Sequence, residues 1–367
     1  MIIPLIDLRA QQAEVADDVR SGLDAVFESA AFIGGPLVQR FEEAYAAWTD
    51  VAHCIGVGNG TDALELALRA AGVEAGGEVV LPANTFIATA EAVSRIGAIP
   101  VLVDVEPDHL LIDPSLVGAA VTTRTQAIVP VHLFGQVAKM EQILALAGDR
   151  GVPVVEDAAQ SHGARRNGRY AGSFGVAAGT SFYPGKNLGA AGDGGAVTTN
   201  DPDVAQTIRV MAAHGSPRKY EHVMIGMNSR LDAVQAVVLQ AKLARLPEWN
   251  ERRRQAAARY GELLAGVTGV KVPMVGEGNE HVWHLYVVQV NDRDRVLGTL
   301  NAAGIGAGIH YPTPVHLTGA YAHLGLGRGD FPVAEAAADQ ILSLPLFPHI
   351  TRGQQERVVE VLADAVG

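Results

Sequence analysis

One lysine lies in a segment that contains no other basic residue. Lys186 occurs in SFYPGKNLGAAGDGGAV (181–197), and no other Lys, Arg or His lies between Tyr170 and Ile208. A poorly hydrated lysine has a lowered pKa, and its neutral amine can form a Schiff base with a carbonyl compound. The pattern therefore predicts a reactive amine, with an ordinary surface lysine as the alternative.

A carboxylate and an amide follow the apolar run VPVV. Asp157 comes at the end of this predicted strand, and Gln160 follows three residues later. A carboxylate partly withdrawn from water favours contact with a cation or a strong hydrogen-bond donor. We therefore expect Asp157 to contact a cationic group of a ligand, with a helix N-cap as the alternative.

The segment GVGNGTDALELAL (56–68) predicts a strand, a glycine-rich turn and a helix. Backbone N–H groups at Gly60 and Thr61, together with the helix dipole, would bind an anion. The spacing differs from the G-x-G-x-x-G pattern of dinucleotide sites, and the segment around Lys186 differs from a P-loop. A glycine-rich turn that is capped by Thr61 is the alternative.

Pyridoxal 5′-phosphate would use all of these features. Lys186 would take its aldehyde, and Asp157 would keep its pyridine nitrogen protonated. Phe86 begins the helix after the second predicted strand, and it either packs in the core or lies flat on the cofactor ring. The predicted phosphate ligands are Gly60, Thr61 and Ser181.

Short apolar runs alternate with amphipathic helices through the first three-quarters of the chain. Runs such as 99–105 and 151–159 are mostly apolar without alternation, as in parallel strands that are covered on both faces. The repeat predicts a doubly wound α/β sheet that binds ligands at the carboxyl ends of its strands. A long helical stretch then leads into a smaller α+β unit with a predicted strand at 281–290, so we predict two domains, 1–245 and 246–367.

Composition restricts the classes of partner. The net charge of −12 argues against nucleic acid and anionic membrane surfaces. No stretch reaches the roughly 18 uninterrupted apolar residues of a membrane helix, and the first residues lack the features of a signal peptide. Cys54 is the only cysteine, which fits a reducing compartment, so we expect a cytoplasmic protein. We expect no metal, because zinc-like spacing is absent among His281, His284, His310 and His316.

Six ordered motifs resemble the DegT/DnrJ/EryC1/StrS sugar aminotransferases. They are FIGGPLVQRFEEAYA, GVGNGTDALELAL, PANTFIATAEAV, VPVVEDAAQSHGA, SFYPGKNLGAAGDGGAV and GMNSRLDAVQAVVL, and the resemblance covers nearly the whole chain. It implies the aspartate aminotransferase fold (fold type I). In that fold a large, mostly parallel α/β domain binds pyridoxal 5′-phosphate and a small α+β domain follows.

The resemblance also implies roles for individual residues. Lys186 would be the Schiff-base lysine and general base, and Asp157 would be the partner of the pyridine nitrogen. Asn228, in GMNSR, would reach the phosphate of the neighbouring subunit, which implies a homodimer with shared active sites. Some relatives carry His at the lysine position and catalyse a deoxygenation, so lysine favours transamination. The other implied cofactor residues are Gly60, Thr61, Phe86, Gln160 and Ser181.

Three further segments look most like the branch that aminates C-3 of dTDP-3-keto-6-deoxyhexoses: RKYEH, EHVWHLYVV and GIGAGIHYPTPVHL. In the implied ping-pong reaction L-glutamate converts the cofactor to pyridoxamine 5′-phosphate, and the keto-sugar nucleotide then receives the amino group. The alternatives are C-4 amination of a dTDP-4-keto-6-deoxyhexose and a non-catalytic regulatory protein that binds pyridoxal phosphate. For His310 and Tyr311 a packed turn is a further alternative. The candidate substrate contacts are Tyr183, Tyr220, Arg230, His310 and Tyr311.

Overall fold

Helices alternate with short strands along most of the chain. The computed structural model describes residues 2–367. Its helices are α1 (Leu8–Glu14), α2 (Ala16–Ser29), α3 (Pro36–Thr49), α4 (Gly60–Ala70), α5 (Ile87–Ile96), α6 (Pro114–Ala120), α7 (Met140–Arg150), α8 (Pro202–Ala212), α9 (Ala233–Leu264), α10 (Arg293–Ala302), α11 (Pro332–Gln340) and α12 (Arg352–Val366). Its strands are β1 (His53–Val57), β2 (Glu78–Pro82), β3 (Ile99–Val103), β4 (Thr125–Ile128), β5 (Val155–Asp157), β6 (Arg165–Arg166), β7 (Arg169–Tyr170), β8 (Ala177–Ser181), β9 (Gly195–Thr199), β10 (Val270–Lys271), β11 (Asn279–Glu280), β12 (Tyr286–Val290) and β13 (Ile341–Leu344).

Seven strands form the main sheet in the order β3–β2–β4–β5–β8–β9–β1. Hydrogen-bonded ladders join β3, β2 and β4, and others join β5, β8, β9 and β1. Parallel bridges from Ile128 to Val154 and from Val131 to Asp157 connect the two groups. The first five strands are parallel, and β9 runs antiparallel to both of its neighbours. The prediction of a doubly wound, mostly parallel α/β sheet is confirmed.

Helices that pack on the sheet explain why its strands carry apolar side chains on both faces. Strand β2 is buried along its whole length, α5 packs against β2 and β3, and α4 packs against β8 and β9. A strand that is covered on both faces needs apolar side chains at odd and even positions alike. Each of the mostly apolar runs 99–105 and 151–159 therefore contains a strand, as predicted.

Some predicted strands are shorter than expected: the run 151–159 forms a strand only at Val155–Asp157, and the run 281–290 is a second case. Of the run 281–290, only Tyr286–Val290 is a strand. Trp283 has φ 48°, in the left-handed region, so the chain turns before the strand begins. Instead of a ladder bond, the Val282 N–H donates to Gly135 O (3.0 Å). The prediction of a strand from residue 281 is wrong because this contact with a distant loop replaces regular pairing.

Helix α9 connects two hydrophobic cores. It is a single helix of 32 residues that continues through Pro247, and it packs against α2 and α3 on one side and α12 on the other. One of these cores lies between α9, α2 and α3. The other lies between α9, α10, α12 and the sheet β10–β12–β13. Within residues 2–367, no helix is both long and apolar enough to cross a membrane. The boundary between 1–245 and 246–367 falls inside α9 and stays a prediction.

Glu14 links three distant parts of the chain. Its carboxylate receives hydrogen bonds from Trp249 (2.8 Å) and Arg252 (2.6 Å) on α9, and from His349 (2.7 Å). Burial acts to raise the pKa of Glu14, but these hydrogen bonds outweigh it and lower the pKa to about 2. The folded protein therefore favours ionised Glu14 more strongly than the unfolded chain does.

Replacing Glu14 by Gln is expected to lower the free energy of unfolding by about 1–3 kcal/mol at neutral pH, because buried Trp249 and the partly buried Arg252 and His349 lose a charged acceptor. Since folding lowers the pKa of Glu14, its contribution is complete above pH 4.5 and is lost as the pH falls towards about 2. Urea unfolding at about pH 7 and about pH 3 should show a smaller difference between wild type and variant at the lower pH.

The control for this measurement is Asp17→Asn. Asp17 forms an exposed pair with Arg20, so its replacement should change the free energy of unfolding by less than about 0.5 kcal/mol. A deficit in Glu14→Gln that is the same at both pH values would contradict the role of the Glu14 charge.

Candidate active site

A cavity of about 980 Å³ opens at the carboxyl ends of strands in the main sheet. Its walls come from α4 and α5, from the ends of β5 and β8, and from loops of the C-terminal part of the chain. The fold therefore brings most of the predicted site residues to one place, and their individual roles stay predictions. The predicted residues that line the cavity are Gly60, Thr61, Phe86, Asp157, Gln160, Ser181, Tyr183, Lys186, His310 and Tyr311.

Lys186 lies in the turn that follows β8. Its backbone N–H donates to Tyr183 O (2.9 Å), and the residue lines the cavity. Burial lowers the pKa of Lys186 to about 8, and the nearby Asp157 carboxylate acts in the opposite direction. Both protonation states of the amine are therefore accessible near neutral pH, as is required of a group that takes up and returns a proton.

Asp157 is the last residue of β5, and its buried carboxylate lines the cavity. Thr89 Oγ1 donates to Oδ2 (2.7 Å), and the Ala159 N–H donates to Oδ1 (3.1 Å). Burial raises the pKa of Asp157, while these two hydrogen bonds act to lower it. Both of these donors are neutral, so a ligand that brings a positive charge would stabilise the ionised carboxylate.

Glu156 precedes Asp157 and has a different set of partners, because successive side chains of a strand point to opposite faces. Its carboxylate receives hydrogen bonds from His132 Nε2 (2.8 Å) and from backbone N–H groups of the loop 172–175 (2.7–2.8 Å). These bonds hold β5 against that loop. No helix begins directly after Asp157, so the N-cap alternative is wrong.

The N-terminus of α4 has the backbone arrangement that the prediction of an anion site requires. Asn59, not Thr61, caps the helix, because its Oδ1 accepts a hydrogen bond from the Asp62 N–H (2.8 Å). The N–H groups of Gly60 and Thr61 belong to the first helical turn, where no intrahelical acceptor is available. A Cβ on Gly60 would lie 2.6 Å from Ser181 Cβ, so only glycine leaves this close approach free. The geometry suits a phosphate dianion.

An aromatic face is open to the cavity at the start of α5. Phe86 is half exposed, and its ring centre lies 5.2 Å from that of Tyr311, so the alternative of a core position is wrong. Gln160 joins this region to the sheet: its Oε1 accepts from the Phe134 N–H (2.7 Å), and its Nε2 donates to the Tyr311 hydroxyl (3.1 Å). Burial raises the pKa of Tyr311, so its phenol stays protonated.

Another wall of the cavity comes from the C-terminal part of the chain. His284 lies just before β12, and His310 and Tyr311 lie between α10 and α11. His310 Nδ1 is 2.8 Å from Ser343 Oγ on β13. Burial lowers the pKa of His310 to about 4, and Lys186 acts in the same direction, so the imidazole is neutral near pH 7. This wall therefore presents uncharged polar groups.

Three predicted residues do not line the cavity of their own chain. Tyr220 is 83% exposed on a surface loop. Arg230 lines a separate recess of about 700 Å³, beside Arg209. Asn228 forms a backbone bridge with Ala213, and its predicted role concerns the neighbouring subunit. The roles of all three stay predictions.

The structure adds residues that the sequence analysis missed. Thr89 binds Asp157 and follows Phe86 by three residues, so helical spacing was an available signal. Asn187 is buried beside the lysine. His284 directly precedes an apolar strand, which is an available signal, whereas the spacing of the histidines concerns metal binding alone. Within residues 2–367, no three His, Cys, Asp or Glu side chains are grouped so that they could hold a metal ion.

Similarity to known proteins extends over nearly the whole chain. Residues 14–363 match the sequence profile of the DegT/DnrJ/EryC1/StrS aminotransferase family. The chain is 47% identical to the erythromycin biosynthesis sensory transduction protein EryC1 of Saccharopolyspora erythraea, over 99% of both chains. It is 45% identical to the dTDP-3-amino-3,4,6-trideoxy-α-D-glucose transaminase of Streptomyces venezuelae, over 99% of this chain and 96% of the relative. The crystal structure of S. venezuelae DesV in complex with a ketimine intermediate superposes with a TM-score of 0.97 at 45% identity, covering 99% of this chain and 98% of that one.

Lys186 is expected to be the residue that captures pyridoxal 5′-phosphate as a reducible adduct. After the apoprotein is mixed with the cofactor and treated with borohydride, peptide mass spectrometry should locate the label on Lys186. The rate of labelling should rise as the pH increases through about 8, because only the neutral amine reacts.

Lys242 is the matched control for this experiment. Burial also lowers the pKa of Lys242 to about 8, but its Nζ donates to Gly189 O (2.7 Å) and the residue does not line the cavity. Labelling of Lys242, or undiminished labelling in Lys186→Arg, would show that low pKa alone, and not the cavity, selects the amine.

Proposed function

Because the chain belongs to the DegT/DnrJ/EryC1/StrS aminotransferase family, we propose that it transfers the amino group of L-glutamate to C-3 of a dTDP-linked 3-keto-6-deoxyhexose, in deoxyaminosugar biosynthesis. The fold is that of the fold type I aminotransferases, and pyridoxal 5′-phosphate is the cofactor. The observation that carries the proposal is that Lys186, Asp157 and the N-terminus of α4 meet in one cavity.

The side chains of the cavity fit the parts of this cofactor. Bound pyridoxal 5′-phosphate supplies a carbonyl for an amine and a ring that stabilises negative charge on the carbon that loses a proton. Asp157, a buried carboxylate with two neutral donors, would hold the protonated pyridine nitrogen. Phe86 would lie against the ring. The phosphate would be held by Gly60, Thr61 and Ser181.

Lys186 would move the proton in both half-reactions. With a pKa of about 8, its Nζ can accept a proton from the substrate carbon and hold it as an ammonium group. The turn after β8 keeps this amine in the cavity, so the proton does not pass through bulk water. The same lysine can then return the proton when the amino group reaches the sugar.

The name of one relative supports C-3 of a dTDP sugar as the position that receives the amino group, and the cavity wall supports a sugar as the substrate. The Streptomyces venezuelae transaminase is named for a 3-amino sugar on dTDP, and it is 45% identical to this chain. The cavity wall that would meet the sugar carries the hydroxyls of Tyr183 and Tyr311 and the neutral imidazole of His310. Such groups hydrogen-bond to sugar hydroxyls and carbonyls without demanding a charge.

An exposed apolar loop supports a homodimer with shared sites. The loop between α8 and α9 carries Tyr220 and Ile225, which are 83% and 98% exposed, and Val223 and Met224 between them are also exposed. Contiguous apolar side chains at a surface are typical of an interface with another chain. Asn228 lies further along the same loop, so a second copy that covers the loop would bring Asn228 towards the partner's cavity.

A regulatory protein without turnover is the second candidate. It is favoured by the name of the Saccharopolyspora erythraea relative, a sensory transduction protein. The net charge of −12 argues against direct binding to nucleic acid, and the amine with a pKa near 8 argues for proton transfer.

The buried, unpaired Cys54 supports a cytoplasmic location for either function.

L-Glutamate is expected to bleach the visible absorbance of the cofactor bound to the wild-type protein. A dTDP-3-keto-6-deoxyhexose should restore the absorbance, and the 4-keto isomer should not. Rapid-mixing spectrophotometry measures each phase, and Lys186→Ala should slow both by about 10²- to 10⁴-fold because it removes the proton carrier. Recovery with the 4-keto sugar alone would assign the reaction to C-4. No bleaching by glutamate would favour the regulatory candidate or another amino donor.

Mixed dimers test whether the active site is shared between chains. Lys186→Ala and Asn228→Asp subunits should each be nearly inactive alone. When they are co-expressed, about a quarter of wild-type turnover should return, because half of the dimers are mixed and each mixed dimer has one intact site. Two affinity tags allow the mixed dimer to be isolated and assayed.

The control pair is Lys186→Ala with Asp157→Ala. Both residues line the cavity of the same chain, so their mixed dimer contains no intact site and should recover nothing. If the Lys186→Ala and Asn228→Asp pair recovered no more than this control, Asn228 would not act across the interface.

A further inference from the structure

One imidazole in the cavity wall has no role in the reaction as described above. His284 lies directly before β12, is 6% exposed and lines the cavity together with Lys186. It forms one side-chain hydrogen bond, through Nδ1 to Asn187. The position of its hydrogen decides what this ring offers to a ligand.

A chain of hydrogen bonds that ends on two backbone carbonyls determines the position of that hydrogen. Asn250 Nδ2 donates to His162 O (2.8 Å), so Asn250 Oδ1 is the atom that accepts from Asn187 Nδ2 (3.0 Å). Asn187 Nδ2 also donates to Val282 O (2.9 Å), which uses both hydrogens of the amide. Asn187 Oδ1 can therefore only accept, and it lies 3.2 Å from His284 Nδ1.

His284 Nδ1 therefore carries the hydrogen, and Nε2 presents a lone pair. A neutral imidazole has one donor nitrogen and one acceptor nitrogen. Burial lowers the pKa of His284 well below its usual range, and the charge of Lys186 acts in the same direction, so the ring stays neutral. Nε2 is neither hydrogen-bonded within residues 2–367 nor sealed from solvent, so it is the nitrogen open to the cavity.

An acceptor at this position discriminates between the two substrates. The carboxylates of L-glutamate are hydrogen-bond acceptors, so they form no hydrogen bond with the lone pair of His284 Nε2. A sugar hydroxyl carries a hydrogen that a neutral imidazole nitrogen can accept. The amino group of glutamate is a donor, but it has to lie at the reacting centre, where Lys186 takes the proton.

We propose that His284 Nε2 accepts a hydrogen bond from a ring hydroxyl of the keto-sugar, which makes His284 a specificity-determining residue for the second half-reaction. This inference rests on the proposed function, because it takes a sugar nucleotide as the second substrate. Asn187 is a positioning residue that holds the imidazole with Nε2 open to the cavity. Because Asn187 follows Lys186 in the chain, one turn positions both the lysine that carries the proton and the imidazole nitrogen that accepts a hydrogen bond from the sugar.

Two variants separate the contributions of the ring nitrogens. His284→Asn places an amide near Nδ1, which keeps a donor for Asn187 but removes the acceptor from the cavity. His284→Gln places an amide oxygen near Nε2. In rapid-mixing half-reactions, His284→Asn should change the rate with L-glutamate by less than about twofold and raise the apparent Kd for the dTDP-3-keto-6-deoxyhexose by about 10- to 100-fold. His284→Gln should bind this sugar more tightly than His284→Asn does.

Binding without turnover provides an independent readout. Calorimetry on the pyridoxamine-loaded protein measures the affinity for the dTDP-linked 3-amino-6-deoxyhexose and for dTDP alone. His284→Asn should weaken binding of the sugar nucleotide and leave that of dTDP unchanged. Equal losses for both ligands, or slowing of both half-reactions by the same factor, would overturn the proposal, because His284 would then act on the nucleotide or through Lys186.

NMR of the wild-type protein labelled with ¹⁵N-histidine tests the tautomer without relying on a variant's activity. The His284 signals, identified by their loss in His284→Gln, should show a protonated Nδ1 and an unprotonated Nε2. A proton on Nε2 would overturn the proposal. A different pattern would count against the proposed substrate and not against the geometry of His284. In that pattern glutamate bleaches the absorbance of the wild-type protein and the tautomer is as expected, but no keto-sugar restores the absorbance.

Discussion

An amine and a carboxylate lie in the same small cavity, and the proposed reaction uses the neutral form of the amine and the ionised form of the carboxylate. Withdrawal from water favours the uncharged form of both groups. Burial therefore prepares Lys186, whose pKa falls to about 8, but it acts against Asp157, whose pKa it raises. Hydrogen bonds from Thr89 and Ala159 offset part of this penalty. In the proposed role of Asp157, the protonated ring of the cofactor would supply the remaining compensation.

Helix α9 holds the parts of the cavity in one frame. Lys242 on this helix donates to Gly189 O, and Asn250 bonds to the side chain of Asn187, so two contacts brace the turn that carries the lysine. The same Asn187 amide reaches the backbone of Val282 in the segment before β12. The Asn187 amide therefore joins the turn that carries Lys186 directly to the segment before β12, and α9 braces that turn. This connection suits a ping-pong reaction, in which two different substrates use one cavity in turn.

The sequence by itself determined the class of fold and the ends of the strands that carry chemistry. Mostly apolar runs predict parallel strands because both faces of such strands are covered, and this property is visible in the residues themselves. The position after such a run predicts Asp157, and the absence of other basic residues in its segment predicts Lys186; the structure brings both to the cavity. Asn59 replaces Thr61 as the N-cap of α4, because either side chain can cap a helix and only the backbone conformation at the turn selects between them.

Only the tertiary structure decided which distant side chains complete the site. Thr89 meets Asp157 across 68 residues of chain, and His284 meets Asn187 across 97. A hydrogen bond between such segments has no local signature, since it depends on how helices and loops pack after the sheet has formed. The irregular backbone before β12 has the same origin, because its partner is a distant loop rather than a neighbouring strand. Residue type and spacing therefore indicated where the reacting groups lie, while packing decided their protonation and hydrogen-bond partners.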